Sequence, residues 1–196
     1  MVYIYLKKYD YFELSKPQKR QAEKEHGREL LSLALNNEFS IDMNNLVICT
    51  GKYGKPYFDR TDNLFFNISH SGNYVAAAVS KNEVGIDVQH IRPIKEGLIG
   101  KLFNEEERNF IDKSPDKDRA FITLWALKES YIKAIGKGMS FPMRNINFSL
   151  KGFRGEMQGK ISNQSGIYYV KDLGEYMLAV CSIGTEEPIT FRLIES

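Results

Sequence analysis

Apolar residues along the chain follow two spacings, one helical and one alternating. Between Arg119 and Ile135, the residues Phe121, Leu124, Trp125, Tyr131, Ile132 and Ile135 share one stripe at about 100° per residue. Gly136 follows as a stop signal, so a long helix is predicted over Arg119–Ile135. Residues 17–35 predict another, with Pro17 where an early helical position tolerates it and Leu30, Leu31, Ala34 and Leu35 as the apolar stripe. Asn104 reads as the cap of a short helix from Glu105 to Ile111. Leu64–Ile68 and Tyr74–Val79 read as the strands of a hairpin turning at Ser69–Gly72, and Val84–Val88 is a short β-branched run. Gly51 to Pro56 is rich in turn residues, and from Ile146 onward strand-like segments alternate with glycine and asparagine turns.

One longer self-similarity bears on the architecture. Gly72, Tyr74, Ala77 and Ser80 recur as Gly174, Tyr176, Ala179 and Ser182, a constant offset of 102 residues. Each set follows, at some distance, a helix that ends in a glycine-bearing loop. Four positions can coincide by chance. Taken as a duplication, they predict an α+β fold, a pseudo-dimer of two similar halves over 1–84 and 85–196, each a small antiparallel sheet packed with a long helix.

Composition narrows the class. The chain has 196 residues, 42% hydrophobic and 27% charged, an ordinary globular balance with material for a buried core. Met1–Lys8 holds too few apolar positions for a signal peptide, and no run approaches the ~18 apolar residues of a membrane span, so a cytoplasmic protein is expected. Cys49 and Cys181 lie far apart and the three histidines lack ligand spacing, which argues against a disulfide framework and against zinc. A net charge of +2 does not by itself call for nucleic acid, but it is unevenly spread. Lys137, Arg144, Lys151, Arg154, Lys160 and Lys171 face the single acid Glu156 across 137–171. That stretch suits an acidic partner, or is simply a solvated basic face.

Candidate chemistry concentrates on the long helix. Lys128 falls inside the apolar stripe, which is costly unless the ammonium is paired, neutral or stretched to the surface. Glu129 and Lys133 lie four apart near one edge of the stripe, where they either form an ordinary exposed pair or reach a shared cleft. A second carboxylate, Asp87, faces away from Ile86 and Val88 and shares its strand face with Gly85 and Gln89. Oxygens from Asp87, Gln89 and Glu129, with phosphate oxygens of a ligand, would make a hard-cation site of the magnesium type.

Taken in order, Gly54-Lys55-Pro56, Phe66-Asn67-Ile68-Ser69-His70-Ser71-Gly72, Gly85-Ile86-Asp87 and Trp125-Ala126-Leu127-Lys128-Glu129-Ser130-Tyr131-Ile132-Lys133 resemble the 4'-phosphopantetheinyl transferases. The likeness is to the surfactin-synthetase-activating type rather than the short holo-acyl-carrier-protein synthases, and runs from about Lys19 to the final strands. It implies a monomeric, pseudo-dimeric enzyme that moves the phosphopantetheine arm of coenzyme A onto a serine of an apo acyl or peptidyl carrier protein, releasing adenosine 3',5'-bisphosphate.

The resemblance also implies roles. Asp87 and Glu129 would hold magnesium against the pyrophosphate, with Gln89 coordinating through its amide oxygen or orienting a metal-bound water, and Glu129, directly or through a water on the metal, would take the serine proton as general base. Lys133 and Lys128 would bind the pyrophosphate and stabilise the leaving group. Ser69 and His70 match the family position at the 3'-phosphate of coenzyme A, and Lys19 and Arg28 match basic positions that reach it. Gly54, Lys55 and Pro56 match the loop that packs on adenine. Glu107 matches a further family glutamate, and reads equally as a solvated acid in the first turn of its helix. One departure stands out: the family often has Asp-x-Glu where this chain has Asp87-Val88-Gln89, so a third carboxylate is missing. The basic 137–171 stretch, with Met139, Phe141 and Met143, is expected to dock an acidic carrier. Rival readings are a coenzyme A-binding scaffold without catalysis and a magnesium-dependent phosphodiesterase.

Overall fold

A computed structural model describes residues 1–94, 97–138, 141–162, 165–184 and 189–193. The chain runs β1 (Val2–Lys8), α1 (Lys16–Phe39), β2 (Ile48–Thr50), β3 (Pro56–Phe58), β4 (Phe65–Ser71), β5 (Tyr74–Ser80), β6 (Val84–His90), α2 (Leu98–Leu102), α3 (Glu105–Lys113), α4 (Lys117–Ile135), β7 (Glu156–Lys160), β8 (Gly166–Asp172), β9 (Tyr176–Ile183) and β10 (Ile189–Leu193). The strands form two four-stranded sheets, ordered β10-β1-β5-β4 and β6-β9-β8-β7, and a small separate β2-β3 ribbon. The fold is therefore mixed α+β, as the patterns predict.

Packing stacks four layers. Leu30, Leu31 and Leu35 of α1 bury against Val75 and Val79 on one face of the first sheet. The other face, with Ile4, Ala76 and Ala78, meets Ile86, Leu178 and Val180 of the second sheet. Phe121, Leu124 and Leu127 of α4 cover the far face of the second sheet at Met177 and Ala179. A strand buried on both faces has no polar alternation to display, which is why β5 reads as a continuous apolar run. The antiparallel trio β1-β5-β4 is matched in order by β6-β9-β8, and Tyr74 and Tyr176 of the sequence repeat open β5 and β9.

Several expectations need correction. Ser69, His70 and Ser71 lie in β4 rather than in a turn; Ser71 pairs with Tyr74 and only Gly72-Asn73 reverses the chain. The first sheet is not wholly antiparallel, because β10 runs parallel to β1 and so returns the end of the chain to the sheet that begins it. Helix α1 is longer than its apolar stripe: the Ser15 N–H donates to the Gln18 side chain at its start, and Ser40 closes it in the left-handed region. Helix α4 starts earlier than predicted, since Asp116 caps it by accepting from the Arg119 N–H.

The two sheets meet along an unusual seam. β4 and β6 are both edge strands. Instead of a backbone ladder, side chains of β4 cap the free edge of β6: Asn67 Oδ1 accepts from Ile86 N at 2.9 Å, Ser69 Oγ from Val88 N at 3.2 Å and Ser71 Oγ from His90 N at 3.1 Å. Alternate residues on one strand thus serve alternate amides on the other, as the period of two requires. On its other side β6 is pressed by α4. A Cβ added at Gly85 would collide with Ser130 O and Ala134 N, so only glycine lets the helix backbone come this close.

Candidate active site

That double constraint on β6 delivers Asp87 to the α4 surface. Lys133 Nζ lies 2.6 Å from Asp87 Oδ1 and 3.1 Å from both Ser69 Oγ and Ile86 O. Ser69 Oγ is also 3.2 Å from Asp87 Oδ1, and Gln89 Nε2 donates to Asp87 Oδ2 at 2.9 Å. Four residues named from the sequence, Ser69, Asp87, Gln89 and Lys133, therefore form one bonded group. One turn before Lys133, Glu129 is only 7% exposed, and its Oε1 is buried with no hydrogen-bond partner among the described residues. Burial pushes its carboxyl up to about 7, the Asp87 charge adds to this, and Lys133 opposes it.

Two clefts meet at this group. One, of about 350 Å³, is walled by His70, Gln89, Arg92 and Trp125. The other, of about 260 Å³, is walled by Tyr53, Gly54, Pro56, Asn67 and Ile132, and both include Glu129 and Lys133. The first is largely polar and the second offers flat apolar groups beside a backbone loop. An extended ligand with a charged middle fits such a pair, with its charge at Glu129 and Lys133.

Among the described residues no group of three or more His, Cys, Asp and Glu side chains could hold an ion. Two carboxylates and the Gln89 amide are what the protein offers, all oxygen donors of the kind a hard cation takes. An unpartnered buried carboxylate oxygen beside a second carboxylate is a site that favours a cation, so the residues fit one that gains its remaining ligands from the substrate and water.

Other sequence candidates lie elsewhere. Lys128 is a correction: it is fully buried, its Nζ 2.8 Å from Glu107 Oε2 and donating to Met143 O at 2.9 Å and Ile146 O at 2.6 Å. Its three donors are spent on protein oxygens, so it ties α3 and the 143–146 turn to α4. Burial lowers its ammonium pKa, and Glu107 resists that. Glu107 is correspondingly buried rather than solvated, and its carboxylate also caps its own helix at Asn104 N. Arg28 is exposed and lines a separate cleft beside Ser32, Met43 and Ile48, away from the Asp87 group. Lys55 turns its ammonium to Glu83 and Ala134 O, capping the end of α4, so Gly54-Lys55-Pro56 faces its cleft mainly with loop backbone and Pro56. Lys19 reaches His70 only through Glu23, discussed below. Of the residues expected from the sequence to dock a carrier, Met143 is buried, Phe141 is half-buried against Tyr131, Arg144 and Lys151 are exposed, and Met139 lies outside the described residues.

Sequence reading missed Arg92, Trp125 and Tyr53 as cleft walls, and Glu23. The polar alternation Asn67-x-Ser69-x-Ser71 was the one signal that could have exposed the seam, since a strand with every second residue polar and hydrogen-bonding asks for a partner.

Comparison with known proteins agrees with this geometry. Residues 83–181 match the 4'-phosphopantetheinyl transferase superfamily, and residues 11–82 match the 4'-phosphopantetheinyl transferase N-terminal family. The chain is 30% identical over 175 residues to the 4'-phosphopantetheinyl transferase Sfp of Bacillus subtilis (strain 168), covering 86% of this chain and 77% of that protein. It is 36% identical over 122 residues to the transferase gsp of Aneurinibacillus migulanus, covering 61% and 51% of the two chains. It is 32% identical over 140 residues to the human L-aminoadipate-semialdehyde dehydrogenase-phosphopantetheinyl transferase, covering 63% and 45%. With the Gly85-Ile86-Asp87 strand and the Trp125 to Lys133 helix converging on one cleft, the chain belongs to the 4'-phosphopantetheinyl transferase superfamily, and within it to the Sfp type.

Proposed function

We propose that this protein transfers the 4'-phosphopantetheine arm of coenzyme A to a serine of an acyl or peptidyl carrier protein, leaving adenosine 3',5'-bisphosphate. The observation that carries the reading is Glu129, a buried carboxylate whose Oε1 has no hydrogen-bond partner among the described residues, next to Asp87 and Lys133 where two clefts meet. A carboxylate oxygen without a protein donor at the cleft junction suits proton abstraction from a hydroxyl bound there.

In this reaction the carrier serine oxygen attacks the phosphorus that bears the pantetheine arm. Its proton passes to Glu129, and the bond to the phosphate of the adenosine side breaks. Lys133 exchanges one of its three oxygen contacts for the departing phosphate and offsets its charge. Magnesium, held by Asp87, Glu129 and Gln89, would neutralise the pyrophosphate and make its phosphorus more electrophilic. Gln89 supplies no charge, and its amide N–H instead fixes Asp87.

The 3'-phosphate is assigned to His70 and Ser69, and the adenine to the cleft beside Gly54-Lys55-Pro56. The matched β1-β5-β4 and β6-β9-β8 trios support a pseudo-dimer of halves over 1–84 and 85–196, with β10 of the second half added to the first half's sheet; a cytoplasmic monomer is part of the proposal. The exposed basic residues Arg144 and Lys151 support docking of an acidic carrier. The scaffold reading is less favoured, because coenzyme A binding alone needs no buried base. Incubation with coenzyme A, magnesium and apo carriers from fatty acid, polyketide and nonribosomal peptide assembly tests the proposal. It predicts a mass gain of one phosphopantetheine arm on at least one carrier; binding of coenzyme A with no gain on any carrier would replace it with the scaffold.

A further inference from the structure

Helix α1 carries a carboxylate where its apolar stripe should begin. Glu23, Gly27, Leu30, Leu31, Ala34 and Leu35 are the residues it buries, and the Glu23 side chain is 8% exposed. A carboxylate in such a position is costly unless it is paired. Its two oxygens each face one basic side chain: Oε2 lies 3.2 Å from His70 Nδ1, and Oε1 lies 3.9 Å from Lys19 Nζ. Lys19 also rests over the Tyr11 ring, 5.1 Å from its centroid.

The approach that makes this pair is built one turn further along. A Cβ at Gly27 would stand 2.8 Å from Ile68 Cγ2, so the glycine lets α1 settle onto β4. Glu23 is four residues before Gly27 and His70 two residues after Ile68. The same close contact therefore brings the carboxylate to the imidazole. With Nδ1 turned to Glu23, the ring presents Nε2 from its other edge, and His70 is 47% exposed on the wall of the polar cleft.

We propose that Glu23 is a positioning residue for coenzyme A. It fixes the His70 ring so that Nε2 points at the 3'-phosphate, and holds Lys19 beside it. This rests on the assignment of the 3'-phosphate to His70. An imidazole that donates to a phosphate through Nε2 while donating to a carboxylate through Nδ1 has its charge compensated and its orientation locked. Loss of Glu23 leaves the ring free to rotate and the phosphate without an aligned donor.

Calorimetric titration of coenzyme A and of 3'-dephospho-coenzyme A into the wild type, Glu23→Gln, Glu23→Asp and His70→Ala tests this. The readout is the ratio of the two dissociation constants, because a merely structural defect weakens both ligands together. Glu23→Gln is expected to shrink the preference for coenzyme A roughly tenfold, the scale of one charge-assisted hydrogen bond, with partial recovery in Glu23→Asp. His70→Ala separates the two levels of the account. If it leaves the ratio unchanged, the phosphate is not at His70 and that assignment falls. If His70→Ala collapses the ratio while Glu23→Gln keeps it, or Glu23→Gln weakens both ligands equally, Glu23 does not position the ring.

Discussion

Glu129 and Lys128 are neighbours in sequence and opposites in environment. Both are buried, but Lys128 has three protein oxygens within hydrogen-bond reach and Glu129 Oε1 has none among the described residues. The first arrangement stabilises a fold; the second leaves a charge waiting for a ligand. A pH signature follows for the metal-free protein. The Glu129 pKa is raised from 4.5 to about 7, so between those values the folded state holds a proton that the unfolded state has released. Stability contributed by this group is therefore present at low pH and lost as pH rises towards 7, by on the order of 2 kcal/mol. Glu129→Gln should remove that loss and raise Tm at pH 8 in metal-free buffer. Parallel Tm profiles for the two proteins from pH 5 to pH 8 would show that the carboxylate is not strained.

At the scale of elements, the seam between β4 and β6 positions the chemistry, because it places Ser69 and Asp87 on facing strands under the end of α4. Its bonds are unequal in burial: Ile86 N and Asn67 are buried, whereas the Ser71 to His90 bond is exposed. Asn67→Ala should cost about 1–3 kcal/mol by orphaning a buried amide, and Ser71→Ala well under about 1 kcal/mol, since water can replace the hydroxyl. Denaturant unfolding reads both, and equal costs would mean the seam is not held by these bonds. The same seam explains where sequence reading stopped. The α4 stripe and its glycine stop were legible because an amphipathic helix writes its burial into a local period. Ser69-His70-Ser71 reads as a turn in the sequence because polar residues at a strand end look the same whether they face water or cap another strand. The partner of Lys128 was signalled as necessary but not identifiable, since Glu107 is 21 residues away and read equally well as a surface acid. Glu23 gave no sign at all among the many charges of α1.

On the scale of the whole molecule, two stacked sheets with a helix outside each put the cleft at the junction, so its walls come from both α4 and β4. No helix among the described residues is long and apolar enough to cross a membrane. Exposed basic residues around Arg144 and Lys151 belong to the segment that Lys128 anchors through Met143 O and Ile146 O, which couples the proposed docking face to the catalytic helix. Arg144→Glu with Lys151→Glu should raise KM for an acidic carrier severalfold, mainly by slowing association, and leave KM for coenzyme A unchanged. A steady-state titration of each substrate checks this; an unchanged carrier KM would move docking to another face.

The central claim is that the Asp87, Glu129 and Lys133 group performs the transfer, with Glu129 as its base. Single-turnover modification of an apo carrier, followed by intact mass in Glu129→Gln and wild type alongside calorimetric coenzyme A affinity, tests it most directly. The rate should fall by about 10²-fold or more while the coenzyme A dissociation constant stays within about threefold. Turnover retained in Glu129→Gln at near the wild-type rate would contradict the account.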